Sequence, residues 1–166
     1  MAPKVVNPLD LLPPSSFNLF DFKTLLVNAA DKKEAIKFLF DNFDSNGYSV
    51  YQVKYVKAEG EGKILYQTNN LMNGFIQRLD HFRKYSIGVH GVYGEEPDLD
   101  IKGVWLWRGV GLPKEITDLD SFEFHTWEKL DLSCENHQKI LEQYWVNMQE
   151  GDIVEGSKTQ CAKYFK

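Results

Sequence analysis

LMNGFIQRLDHFRKYSIGVHGVYGEEPDLDIKGVWLWR, residues 71–108, changes its hydrophobic period part-way along, and that change sets the fold class. Leu71, Phe75, Leu79 and Phe82 recur at i, i+4, i+8 and i+11, one stripe at the 3.6-residue period, widened by Met72 and Ile76. Asn70 stands where a helix cap belongs. Gln77, Arg78, Asp80, His81 and Lys84 make the polar face, with Asp80 four residues ahead of Lys84, the favourable order for an acid and a base. The period then falls to two. Tyr85, Ile87, Val89 and Tyr93 share one strand face, while Ser86 and Gly88 leave the other low enough for a helix to lie close. Residues 94–98, with Glu95, Glu96 and Pro97, read as a turn. Beyond it 101–108 alternates again, with Trp105 and Trp107 on one face and Val104 and Leu106 on the other.

Outward from this stretch the chain reads as short helices and strands. Residues 1–17 hold four of the six prolines and predict an extended arm on the surface. Asn18 caps a helix on Leu19, Phe22, Leu25 and Leu26, with Asp21 near its exposed amides. Asp31-Lys32-Lys33-Glu34 is a capping-box pattern; it opens a second helix with Ala35, Phe38, Leu39 and Phe43 inward, which Ser45-Asn46-Gly47 ends. Residues 48–56 form a strand, and 64–68 are expected to be its hairpin partner across a loop containing Gly60 and Gly62. Residues 112–119 are irregular, and 122–129 alternate as a fifth strand, Phe122 and Phe124 opposite His125 and Trp127. Ser133 starts a last helix on Ile140, Leu141, Tyr144 and Trp145, and 151–166 read as a tail with weak periodicity. Strands in pairs, with few helices between them, predict an α+β class: a mostly antiparallel five-stranded sheet flanked by helices, in one domain spanning 18–166.

Length and charge bound the function. A chain of 166 residues buries a core without staples, and four Trp, eleven Phe and eight Tyr make that core aromatic. The net charge of −5 divides as +1 over residues 1–83 and −6 over 84–166, which opposes the basic footprint of nonspecific nucleic-acid binding. Cys134 and Cys161 are too few for a disulfide framework or a four-thiolate zinc site. No signal segment and no apolar run of membrane-spanning length is seen, so a soluble, intracellular protein is expected.

Candidate chemistry is thin. Asp44-Ser45-Asn46-Gly47 imitates part of a calcium loop, but the frame places Val53 where a bidentate Glu is needed, so it reads as a helix-ending turn. Gly60-Glu61-Gly62-Lys63 lacks the earlier glycine and the Ser/Thr of a phosphate loop. Cys134 and His137, three apart on a helix, are the one nucleophile and base able to meet, with nothing in sequence to orient the His. His81, His90 and His125 show no metal-ligand spacing and read as surface or hydrogen-bonded histidines. Glu95, Glu96, Asp98 and Asp100 make a solvated acidic turn or a contact for a basic partner. Trp105, Trp107 and Trp127 read first as core, yet Trp and Arg dominate binding hot spots. Arg78, Asp80, Arg83, Trp107 and Arg108 are accordingly the candidate protein-binding residues. No catalytic residue, metal ligand or cofactor site is expected.

Several segments resemble the carboxy-terminal domain of the elongation factor 1-gamma family, the gamma subunit of eukaryotic elongation factor 1B. These are Asn73-Gly74-Phe75-Ile76-Gln77-Arg78-Leu79-Asp80, Arg83-Lys84-Tyr85 and Gly103-Val104-Trp105-Leu106-Trp107-Arg108-Gly109, in the family's order and spacing. Residues 7–19, NPLDLLPPSSFNL, resemble the domain's opening segment, and Lys163-Tyr164-Phe165-Lys166 its last residues. The departures fall in 57–63 and 112–119. The resemblance implies a mostly antiparallel sheet flanked by helices and a noncatalytic scaffold domain of the exchange complex that acts in translation elongation. Implied partners are the other elongation factor 1B subunits and elongation factor 1A, directly or through a glutathione-transferase-like amino-terminal domain that this sequence does not include. It also implies a cytoplasmic location, no membrane and no cofactor, and Met1 to Pro3 then read as an expression-derived addition. An RNA-binding or regulatory protein-interaction adaptor is the alternative, which the acidic balance disfavours.

Overall fold

Six strands, β1 (Tyr48–Tyr55), β2 (Ser86–Glu95), β3 (Asp98–Arg108), β4 (His125–Leu130), β5 (Ile153–Val154) and β6 (Ser157–Phe165), form an antiparallel sheet in the order β4-β1-β3-β2-β6-β5. This computed structural model describes residues 8–166; Met1 to Pro3 and residues 4–7 of the expected arm lie outside them. The class is α+β as expected, with six strands rather than five. The sixth is the supposed tail: β6 pairs with β2 from Gly88↔Phe165 to Tyr93↔Thr159, across an irregularity at Val92 and Tyr93.

The switch of period in 71–108 is present with shifted ends. The helix α3 (Leu65–Arg78) starts six residues before Leu71, so the expected strand at 64–68 is its first turn. Thr68 Oγ1 donates to the Ile64 carbonyl at 2.8 Å, and the Glu96 carboxylate caps the helix by accepting from Leu65 N–H at 2.8 Å. Asn70 is thus an interior residue and not the cap. The buried stripe runs Thr68, Met72, Phe75, Leu79 and Phe82, whereas Leu71 is exposed. Its last member sits on a tight 3-10 turn, Asp80–Tyr85, that leads into β2. With 64–68 helical, β1 pairs instead with β3 and β4, Tyr51 facing Trp105 and Lys129. The strand expected at 122–129 begins at His125, because Phe122–Phe124 is a 3-10 turn.

Two layers of helix cover the two sheet faces. On one, Val50, Ile87, Val89, Val104 and Leu106 meet α1 (Leu19–Asn28), α2 (Lys32–Asn42) and α5 (Glu135–Val146) through Phe22, Leu26, Ile36, Leu39, Leu141 and Trp145. A short helix, α4 (Lys114–Thr117), precedes β4 and buries Ile116. The caps form as read: Asn18 Oδ1 accepts from Asp21 N–H at 3.0 Å, and Asp31 Oδ1 from Lys33 N–H at 3.0 Å. Leu25 and Phe38 are exposed, and Ile36 takes the inward place expected of Phe38. On the other face Phe75, Leu79 and Phe82 pack over Tyr51, Val53, Trp105, Trp107 and Phe165. Tyr85, expected beside Ile87, joins this second group. Gly88 makes room for the Trp105 indole of the neighbouring strand and not for a helix: a Cβ there would lie 2.6 Å from it.

Candidate protein-binding site

The turn after α3 gathers charge that the sequence scatters. Arg83 Nε donates to Asp80 Oδ1 at 2.6 Å, its Nη1 donates to the Lys166 carbonyl at 2.9 Å, and its guanidinium lies 4.9 Å from the centre of the Phe165 ring. Lys23 Nζ from α1 donates to the Arg83 carbonyl at 2.5 Å, and Lys163 Nζ from β6 donates to Asn73 Oδ1 at 2.8 Å. Burial first, and then the Arg83 charge, depress the Lys23 ammonium. Arg78 is exposed at the last residue of α3, where a cation complements the helix carbonyls. Arg83 therefore joins Asp80 and Lys23 at the turn after α3, Lys163 meets the same helix at Asn73, and Arg78 stands exposed at the helix end. The lysines escaped sequence reading because they arrive from α1 and from the unrecognised strand β6.

The other two candidates lie elsewhere. Trp107 is fully buried, stacked on Tyr51 with ring centres 4.8 Å apart, and its indole N–H donates to the Gly111 carbonyl at 2.8 Å. Arg108 leaves β3 on the opposite sheet face from α3, beside its partner Tyr48. Its guanidinium donates to the Gly47 carbonyl at 2.5 Å and to the Pro13 carbonyl, and stacks 5.1 Å from the Tyr48 ring centre. It ties the segment before α1 to the sheet. We expect Arg108→Ala to lower stability by about 1–3 kcal/mol, since it leaves two carbonyls without a charged donor. A denaturant midpoint equal to the parent's would show that the tie is idle.

Several of the groups weighed for chemistry are engaged within the fold. His137 Nδ1 accepts from Asp131 N–H at 2.7 Å, which fixes its ring to the backbone before α5. Asp44 Oδ1 accepts from Asn46 N–H at 3.0 Å and Oδ2 from the Ser15 hydroxyl at 2.6 Å, as a turn residue does. In the acidic turn Glu95 pairs with Lys158 at 2.8 Å, while Lys57 holds Asp98 at 2.9 Å and Asp100 at 3.4 Å; Glu96 caps α3. His90 is wholly buried, and its Nδ1 accepts from the Trp105 indole at 3.1 Å. Burial, with His125 nearby, pushes its pKa down to about 3. His125 donates from Nδ1 to the Ser121 carbonyl at 2.7 Å, and burial lowers it too. Among the described residues, no group of three or more His, Cys, Asp or Glu is placed to hold a metal.

Comparison with known proteins gives the family. The family description "Elongation factor 1 gamma, conserved domain" matches residues 4–111, which takes in α1 through β3 and all five candidate residues. The chain belongs to the elongation factor 1-gamma family. Elongation factor 1-gamma of Prunus avium is 38% identical over 167 residues, covering 99% of this chain and 39% of the relative. That of Drosophila melanogaster is 34% identical over 167 residues, 99% of this chain and 38% of the relative, and that of Trypanosoma cruzi 38% identical over 139 residues. The chain thus spans about two fifths of the elongation factor 1-gamma relatives it matches, and the match continues through β6. Among the described residues no helix is long and apolar enough to cross a membrane.

Proposed function

We propose that this chain is a noncatalytic scaffold domain acting in translation elongation within the cytoplasmic elongation factor 1B complex, and that it engages protein partners through the Arg78, Asp80 and Arg83 edge. The observation that carries the reading is the end-to-end match to elongation factor 1-gamma relatives. Partners on this reading are other subunits of that complex and elongation factor 1A, reached directly or through the rest of the relatives' length.

Two measurements test it. Added at micromolar concentration, the domain should leave mant-GDP release from elongation factor 1A unchanged, since exchange requires a surface that favours the nucleotide-free state. Stimulated release refutes the noncatalytic reading. In pull-downs against elongation factor subunits, ribosomes and RNA, the subunits should be retained, and Arg78→Glu should weaken retention several-fold at an unchanged melting temperature. Retention of RNA instead would favour the adaptor reading, and undiminished capture by Arg78→Glu would move the partner surface elsewhere.

A further inference from the structure

A second polar feature lies on the sheet face opposite α3, at the end left open by α1, α2 and α5. Gln52, Lys54, Lys102, Thr126, Glu128 and Glu155 line a cleft of about 240 Å³. Three of them form one row across the sheet, because Lys54 pairs in register with Thr126 on one side and with Lys102 on the other. Two lysines directly opposite on neighbouring strands repel, and the arrangement costs stability.

Lys102 makes the cost larger. It is only 7% exposed, its stem lies across Tyr93 with Nζ 5.6 Å from the ring centre, and burial lowers its pKa. Its stem is buried while Nζ opens onto the cleft, and among the described residues no carboxylate lies within 4.0 Å of Nζ and no acceptor takes a hydrogen bond from it. The neighbouring acids Glu155 and Asp100 favour its charge from a distance, but their carboxylates are engaged elsewhere. Glu155 Oε2 accepts from Gln52 Nε2 at 2.8 Å and from the Tyr144 hydroxyl at 2.7 Å, on a backbone with φ of 48°. Asp100 is held by Lys57.

We propose that Lys102 and Lys54 bind a carboxylate of an acidic polypeptide segment in this cleft. A carboxylate between the two ammonium groups relieves their repulsion and supplies the acceptor that Lys102 lacks. Glu128 and Glu155 at the rim balance the two lysines, so the cleft has room for one negative charge and disfavours a dianion such as phosphate. The site is separate from the Arg83 edge, so it stands or falls independently of the partner surface proposed there.

The test is an NMR titration of the 15N-labelled 166-residue chain with a short acetylated and amidated oligoglutamate. Oligoglutamine, inorganic phosphate and chloride at matched ionic strength are the comparison arms. Saturable shifts are expected at the amides of Gln52, Lys54, Lys102 and Thr126 with oligoglutamate alone. Lys102→Met should weaken that binding about tenfold while the melting temperature holds or rises, because methionine keeps the apolar stem over Tyr93 and removes the partly buried charge. Lys54→Gln, at an exposed position, gives the same readout without touching the core. Shifts that grow linearly and equally with chloride, tighter binding of phosphate, or oligoglutamate affinity unchanged in both variants would each overturn the proposal.

Discussion

Phe75→Ala is expected to lower stability by about 3–5 kcal/mol, read as a fall in denaturant midpoint with little change in slope. The ring is 4% exposed and sits between two histidine rings, with centres 4.7 Å from His90 and 4.6 Å from His125. Trp105 meets it edge-on at 6.0 Å, and Trp127 lies at 6.4 Å. These neighbours belong to β2, β3 and β4, so removing one ring opens a cavity at the point where three strands and α3 converge. Rigid aromatic walls collapse poorly into such a gap, which places the cost high in the range seen for large-to-small core changes. Phe75→Leu should recover much of the loss. A Phe75→Ala midpoint near the parent's would show that α3 does not roof this face.

The second large effect is acid sensitivity beginning above the carboxylate range. An unfolded His accepts a proton near pH 6.5, whereas the folded pKa of His90 lies at about 3, so the folded chain refuses a proton that the unfolded chain takes. Stability is therefore full above pH 6.5 and falls as the pH drops, approaching ~1.4 kcal/mol for each unit until the folded pKa is reached. His125, lowered by burial, acts in the same direction. Asp44 and Asp131, lowered by hydrogen bonds from Ser15 and Ser133, hold stability that is lost only at lower pH, as they themselves protonate. The interval from pH 6.5 to 5 thus reports the buried histidines. Chemical denaturation at a series of pH values should show the decline, and His90→Asn, which keeps an acceptor for the Trp105 indole, should flatten it. A parent stability that stays level from pH 7 to 5 would falsify the account.

Much of the layered architecture is written in local period. Met72, Phe75, Leu79 and Phe82 mark one side of a helix and its following turn, whatever that side packs against. The alternation of Val104 and Leu106 with Trp105 and Trp107 requires both faces of β3 to be covered, and Asn18 and Asp31 start their helices through bonds to amides two or three residues away. Such features depend on neighbours in the chain. Pairing does not. The expected hairpin failed because Ile64, Tyr66 and Thr68 alternate as a strand would, while the cap that makes them helical comes from Glu96, far along the chain. β6 was unreadable for a related reason: its side chains are mostly half-exposed, and its order comes from backbone bonds to β2 that carry no side-chain signature.

The candidate site divides the same way. Local spacing puts Arg78 and Asp80 on the polar side of the α3 stretch and leaves Asp80 and Arg83 three residues apart, within pairing distance. Long-range folding alone brings Lys23 to Arg83 and Lys163 to Asn73, places Trp107 beneath the surface, makes Arg108 clasp Gly47 and Pro13, and sets Lys54 opposite Lys102. A helix or strand period states which side a residue occupies, but the partner a charge meets is chosen by strand order and register, which long-range hydrogen bonding and burial select together.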